Sequence, residues 1–379
     1  MASDCVEIVQ VHTRRQLRRF ARFATRLYKD SPYYVPELES DVMDAFIPSR
    51  NAALEYCEAQ PFLAFRDGRV VGRVAAIINR VANERWNTRT VRFGWLDFTD
   101  DSEVSSALLR AVADWGRQRG MTRIEGPLGF SDFDREGMLT WGFDQIATQS
   151  TNYNFEYYPQ HMQTLGFEPT ARWVEWHIPC IGIPERMNRL SQAVLERYGL
   201  HVARYDSSVR TEAAHYAKSL FRLVNEAYSP LYGYSPFSEH QIDDMVRRYL
   251  KFIDKRLVTI VLDSEDNLVA AGLVMPSMSR GLQKARGRLF PLGWWHLLKA
   301  IWHDRETIDL MVLAVKPEYQ GRGLNAVPFC NLAPNIIGMG FKWAESNLEL
   351  ETNSRMQSHW TYFEGAHINK RRCAFAKDI

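Results

Sequence analysis

Alternation of apolar and polar positions marks most elements of this chain. Val6 to Val11 alternates and predicts a first strand. Arg14 to Lys29 has a helical period, with Leu17, Phe20, Ala21, Ala24, Leu27 and Tyr28 on one face. Its other face carries Arg15, Arg18, Arg19, Arg22, Arg26 and Lys29. That face reads as a solvated basic surface, or as one that touches anionic lipid or phosphate groups. Ser31 to Pro36 is an extended linker, because Pro disfavours helix before it. Pro61 to Ile78 reads as a hairpin around Asp67-Gly68, Val91 to Phe98 as a strand, Ser102 to Arg119 as a helix and Thr122 to Gly126 as a strand.

A second series follows a rigid, turn-rich stretch, Ile178 to Pro184. Glu185 to Arg197 and Thr211 to Ala227 read as helices, His201 to Tyr205 as a strand, and Leu257 to Met275 as a hairpin around Glu265-Asp266-Asn267. Thr307 to Val315 is a nearly unbroken apolar run, a buried strand that Pro317 ends. Gln320-Gly321-Arg322-Gly323 then makes a tight turn before a helix that Pro328 and Pro334 interrupt. Gly340 to Leu348 is the next strand, and a short helix carries His359, Trp360, Tyr362 and Phe363. The boundary makes two domains, 1–180 and 185–379, as a length of 379 residues suggests.

Composition narrows the class. A hydrophobic content of 46% and a charged content of 24% are ordinary for a folded soluble protein. A net charge of +2 gives no field that would recruit nucleic acid. Cys5, Cys57, Cys180, Cys330 and Cys373 are scattered, which argues against a disulfide framework and a zinc site and for a reducing cytoplasm. The expectation is a cytoplasmic protein with no signal peptide and no membrane span, contact with the inner face of the membrane being left open.

The strand, glycine turn and helix start form an anion site. Glycines let the backbone approach a ligand, and the first free N–H groups of a helix point at it. Arg322 adds positive charge, so a pyrophosphate fits; the plainer reading is a common strand-to-helix turn. Leu313-Ala314-Val315-x-Pro317-x-x-Gln320-Gly321-x-Gly323 resembles the acyl-CoA-binding motif of the GNAT acyltransferases, with Asn325 in place of the last small residue. The resemblance implies that Leu313, Val315, Gln320, Gly321, Arg322, Gly323, Leu324 and Asn325 hold acyl-CoA, and no metal is implied. The first half has the same order of hairpin, strand, helix and strand. Its equivalent turn, Thr99-Asp100-Asp101-Ser102, is acidic and would repel a pyrophosphate, so that half keeps the fold and lacks the CoA site. The expected fold is α/β (α+β), two GNAT-like domains in tandem, each a mixed sheet flanked by helices.

Glu351, Asn353 and Met356 match a Glu-x-Asn-x-x-Met string of the bacterial tandem-GNAT proteins. The Gly126-Pro127 to Asp144 stretch and Leu289-Phe290-Pro291-x-Gly293-Trp294 also match. Bacterial ceramide synthases, which acylate a sphingoid amine, are among GNAT-like proteins of this kind, and this gives a substrate lead. The reaction needs a base for the amine, a backbone N–H near Val315 for the oxyanion, and an acid for the thiolate. Glu345 and Glu351 are the candidate bases, with His359 as the alternative. Trp360 falls near the position of the GNAT acid tyrosine, and Tyr362 is displaced from it. A structural task is open for each: a paired carboxylate, a satisfied histidine, a core tyrosine.

Asp132, Asp134 and Glu136 lie in a loop that reads as a turn, as an incomplete metal cluster, or as a wall of the acceptor site, which Tyr153 and Asn154 would extend. The insertion 280–305 contains Trp294 and Trp295 between Arg280, Lys284, Arg286, Arg288 and Lys299. It suits a monotopic membrane segment or the rim of an acyl tunnel, and equally a lid packed into the protein's own core. The function classes are an N-acyltransferase with a long-chain donor and a lipid or amino-alcohol acceptor, a small-molecule N-acetyltransferase, and a non-catalytic acyl-CoA or membrane binder. A tRNA-dependent aminoacyl transferase would not need the intact CoA turn.

Overall fold

The computed structural model describes residues 5–203, 210–250 and 253–379, with side chains described for all of these except 210–214, 248–249 and 355. The chain begins with β1 (Glu7–Gln10), α1 (Arg14–Leu27) and α2 (Glu39–Asp44). Then come β2 (Cys57–Arg66), β3 (Arg69–Asn79), α3 (Arg80–Arg85), β4 (Thr90–Phe98), α4 (Ser102–Arg117), β5 (Arg123–Gly126), β6 (Met138–Trp141), α5 (Tyr157–Thr164) and β7 (Glu168–Pro179). The second half opens with α6 (Glu185–Tyr198), β8 (His201–Val202), α7 (Arg210–Ala227) and α8 (Glu239–Tyr249). It continues with β9 (Val258–Leu262), β10 (Leu268–Pro276), α9 (Ser279–Ala285), α10 (Gly293–His303), β11 (Thr307–Val315) and α11 (Ala326–Gly338). β12 (Trp343–Glu345), β13 (Glu349–Leu350), α12 (Ser354–Trp360) and β14 (His367–Asp378) end it. Of the expected strand His201–Tyr205, Arg204 and Tyr205 lie outside the described residues.

Two compact units divide the chain. The first takes residues 1–174, 278–300 and 369–379, and the second takes 175–277 and 301–368. In the first, the sheet runs β1-β2-β3-β4-β5-β14. β4 and β5 are parallel and meet over three pairs, Thr90 with Arg123, Val91 with Ile124 and Arg92 with Glu125. In the second, the order is β8-β9-β10-β11-β12, and the end of β7 closes it beside β12. β11 and β12 are also parallel, over Thr307 with Trp343, Ile308 with Ala344 and Asp309 with Glu345. Each unit therefore has a short parallel pair that opens beyond its third rung, and each takes a strand from the other half of the sequence.

The same packing device appears in both units. A Cβ on Gly72 of β3 would sit 2.6 Å from Leu108 of α4, and one on Gly272 of β10 would sit 2.9 Å from Pro328 of α11. Bare backbone there lets the helix lie close on the sheet. Val74, Phe93, Leu108 and Val112 form the core beneath α4. Ile178, Val274, Ile308, Leu332 and Trp360 form one core of the second unit, and Val261, Ala270, Leu324 and Val327 another.

Two local expectations change. Pro328 and Pro334 do not break α11. Pro328 lies in the first turn, where a missing N–H costs nothing, and Pro334 is carried inside the helix. The strand expected over Gly340 to Leu348 is shorter, because Ser346 and Asn347 leave the ladder. Ser346 Oγ accepts the Trp176 N–H at 2.8 Å, and Asn347 Nδ2 donates to the Met311 carbonyl at 3.0 Å.

Candidate active site

The glycine turn sets the geometry of the second unit. After Val315, Lys316 N–H still donates to the Val269 carbonyl, and Pro317–Tyr319 makes one tight helical turn. Gly321 and Gly323 follow with φ of 74° and 84°, a region that disfavours side chains. Gln320 Nε2 donates back to the Val315 carbonyl at 2.9 Å and ties the turn to its strand. Leu324 is buried and anchors the far side. The N–H groups of Gly321, Gly323, Leu324 and Asn325 donate to no backbone carbonyl among the described residues. Four free donors at the start of α11 fit the diphosphate of a coenzyme A ester. Arg322 stands beside them over the Tyr198 ring, at 5.7 Å.

The strand before the turn is irregular where it matters. Leu273 pairs with Val312 and Val274 with Leu310, so Met311 is an extra residue on β11. Such a bulge bends the strand and turns its groups away from the ladder. Together with the short β11–β12 pairing, it leaves the wedge that Asn347 bridges to Met311.

Two groups near this wedge were not singled out in the sequence. Tyr228, at the end of α7, donates its phenol to the Leu313 carbonyl at 3.1 Å. Burial pushes that phenol up to about 12, and the Glu349 charge adds to the rise. Glu349, on β13, accepts the Trp360 indole N–H on Oε1 at 2.7 Å. Its Oε2 is buried with no hydrogen-bond partner. Burial pushes the Glu349 carboxyl up to about 8, against the pull of the indole. A carboxyl poised there, with one oxygen free, is suited to accept a proton from an amine near neutral pH. Trp360 is itself wedged edge-on to Phe329 at 5.1 Å, so the Glu349 carboxyl is held by a fixed donor.

The sequence-predicted candidates fall in several places. Glu345 is buried on β12 and meets His177 Nδ1 at 2.5 Å, and His177 stacks on Trp343. This is the paired strand carboxylate of the structural reading. Glu351 is exposed, and its carbonyl accepts from Gln357. His359 meets Asn325 at 2.5 Å from Nε2, which joins α12 to the glycine turn. Tyr362 is exposed beneath the Arg186 guanidinium, at 5.4 Å. Leu313 and Val315 alternate with buried Ala314 on one side of β11.

In the first unit, Asp134 accepts the Ser131 N–H at 2.9 Å, and burial pushes its carboxyl up to about 6. Asn154 bonds both the N–H and the carbonyl of Leu139, at 2.7 and 3.0 Å, as a neighbouring strand would. Tyr153 donates to the Phe143 carbonyl. Trp294 and Trp295 are exposed. Among the described residues no group of three or more His, Cys, Asp or Glu side chains could hold a metal.

The first unit's counterpart of the anion site is filled from within. Asp101 caps α4 and accepts the N–H groups of Glu103 and Val104. Its carboxylate also pairs with Arg66 at 3.1 Å. The opening beyond β4 and β5 holds Arg73 bound to Asp97 at 2.7 Å, with Tyr28 on Asp97 and Tyr158 on Tyr28. The cavity that remains, about 20 Å³, has room for about one water.

A short parallel pair that opens beside a bulge, followed by a turn of free N–H groups at a helix start, is the arrangement of a GNAT fold, and the first unit repeats the fold without the free turn. No family model matches the chain. It is 28% identical to a bacterial ceramide synthase of Caulobacter vibrioides (strain NA1000 / CB15N), over 97% of this chain and 96% of that protein. It is 25% identical to the protein YghO of Escherichia coli (strain K12), over 80% of this chain and 77% of that one. Among solved structures it is similar to a tandem GNAT protein from the clavulanic acid biosynthesis pathway, with a TM-score of 0.55, 12% identity and 98% of both chains covered. A GCN5-related N-acetyltransferase from Sphaerobacter thermophilus gives a TM-score of 0.52 at 11% identity, over 100% of this chain and 97% of that one.

Proposed function

We propose that this acyltransferase moves a long-chain acyl group from coenzyme A to the amine of a lipid or amino alcohol, with a sphingoid base as the lead and a ceramide-type amide as product. The observation that carries the reading is the row of free N–H groups at Gly321, Gly323, Leu324 and Asn325, on the same unit as the half-satisfied Glu349 carboxyl. Similarity to a ceramide synthase over nearly the whole length supports the choice of acceptor and donor.

Acyl-CoA supplies the activated thioester. The turn holds its diphosphate, with Arg322 as the added charge. Leu313 and Val315 line the strand along which the pantetheine would lie. Glu349 accepts the proton that the ammonium must lose before attack. A backbone N–H near Val315 donates to the carbonyl oxygen as charge develops there. Tyr228, neutral and close to the strand, supplies the proton for the sulfur as the carbon–sulfur bond breaks, and regains one from the nitrogen of the new amide. Asn325 and His359 brace the turn against α12. In this reading Glu345 keeps β12 and β7 together, while Glu351 and Tyr362 remain secondary candidates.

Residues 1–180 serve as the acceptor-side domain without a CoA site, and 185–379 as the donor-side domain. Asp134, Tyr153, Asn154, Trp294 and Trp295 stay assigned to the acceptor side. The protein works in the cytoplasm, peripheral to the inner face of the membrane.

Calorimetric titration with acetyl-CoA and palmitoyl-CoA tests the donor. Tighter binding of the long-chain ester, weakened by Gly323→Ala, is expected. Equal or tighter binding of acetyl-CoA would return the protein to the small-molecule N-acetyltransferases. Binding of neither would remove the donor altogether.

A further inference from the structure

The insertion does not pack its aromatics inward. Phe290 is 79% exposed, Leu292 63%, Trp295 50% and Trp294 44%, and Trp302 further along α10 is exposed too. On α10, Gly293 and Ala300 are buried, whereas Trp295, Lys299 and Trp302 point outward. The other side is held firmly: Leu282 and Leu297 join the core of the first unit, and Gln283 Nε2 donates to the carbonyls of Pro32 and Tyr34. Leu289–Trp294 is therefore a fixed apolar projection. Two of its N–H donors are satisfied within it. Trp294 N–H donates to the Leu289 carbonyl at 2.8 Å, and the Trp294 indole donates to the Pro291 carbonyl at 3.0 Å. Such a tip can enter an apolar phase without stranding those backbone groups.

The insertion's own charges have one sign. Residues 276–303 contain no Asp or Glu, and exposed Arg280, Lys284, Arg286 and Lys299 surround the tip. α1 lies next to the insertion, since the Thr25 hydroxyl is 3.6 Å from the Cβ position of Gly287. Residues 8–29 contain no acid either; Arg18, Arg22 and Arg26 follow one strip of α1, and Lys29 lies just past its end. Glu39 sits between the two elements, and Arg22 and Arg288 both hold it, at 2.8 and 2.7 Å. The surplus is positive across both.

We infer that Phe290, Leu292 and the outer face of α10 insert into the headgroup region of an anionic bilayer, and that the α1 strip and the insertion's basic residues seat on its lipid phosphates. Aromatics and aliphatics at the tip with cations behind them are what an interfacial segment needs. A polyanion such as DNA would engage the charges and leave the tip in water. The inference goes beyond acyl transfer, and binding to lipid is measured without turnover.

The test is co-sedimentation of the full chain with vesicles of phosphatidylethanolamine and phosphatidylglycerol, against vesicles of phosphatidylcholine alone. Binding to the anionic vesicles is expected, with a blue shift of tryptophan emission. Phe290→Ser with Leu292→Ser should lower the partition coefficient about tenfold, and Arg18→Glu with Arg26→Glu should do the same and flatten its salt dependence. The first pair of changes lies at exposed positions, so CoA binding should be unaltered, which shows that the variant is folded. No binding to anionic vesicles would overturn the inference. So would unchanged binding of the Phe290/Leu292 variant, or binding of duplex DNA as tight as that of vesicles. A dimer in sedimentation velocity that the same variant abolishes would assign the face to a second copy instead.

Discussion

Replacing Glu349 with Gln tests the chemistry most sharply. The amide keeps an oxygen for the Trp360 indole, so the packing survives. It cannot take a proton. Loss of a positioned base costs about 10²- to 10⁴-fold in rate. The pH dependence gives a second signature. Burial holds the carboxyl at about 8, so at pH 7 about a tenth of the molecules carry the active carboxylate. The rate should rise about tenfold from pH 7 to a plateau above pH 9. Thiol release from palmitoyl-CoA, read at each pH for both proteins, gives a ratio in which the acceptor's own titration cancels. That ratio should climb through pH 8. Stability should move the other way. The folded pKa lies above the usual 4.5, so the stability linked to this proton is present below about pH 4.5 and lost as pH rises through 8. The Gln variant should gain on the native protein between pH 5 and pH 9, by a few kcal/mol at most, because the residue is half-buried. A ratio independent of pH, or a variant within threefold of native rate, would refute the assignment.

Other changes separate binding, chemistry and scaffold. Gly323→Ala forces a side chain onto a φ of 84° and toward Leu190, at 3.1 Å, and should weaken CoA binding about tenfold in calorimetry with a stability loss of about 1 kcal/mol. Tyr228→Phe should lower kcat about tenfold with little change in KM, since only the departing thiolate loses its proton donor. Asp101→Ala removes the cap of α4 and should cost about 1 kcal/mol in denaturant unfolding while leaving CoA affinity unchanged.

Much of the donor half was legible in the sequence because it is local. The run to Val315, Pro317 and the two glycines specify a strand, a stop and a turn within a few residues, and the structure adds only the free N–H groups and the bulge at Met311. The acidic turn of the first half was legible for the same reason, and Asp101 turns out to fill the helix start with its own carboxylate. The base was not. Glu349 and Glu351 stand two residues apart in one string, and only the fold decides that one is enclosed beside Trp360 and the other exposed. Tyr228 lies just past the end of α7, and its contact with Leu313 joins residues far apart in sequence. Glu345 drew attention as a strand carboxylate, but its partner His177 arrives from the other half of the chain, which no local pattern announces. The insertion's composition suited a packed lid as well as an interfacial segment or the rim of an acyl tunnel, and the exposure of Phe290 and Leu292 shows only that the tip does not pack inward.

The proposed function requires this chain to join an acyl group from coenzyme A to an amine. Mass spectrometry of the product after incubation with palmitoyl-CoA and a sphingoid base tests it most directly. A ceramide-type amide should form with release of one free thiol, and almost none with Glu349→Gln. Binding of the donor with no amide from a sphingoid base or any other amine would contradict it.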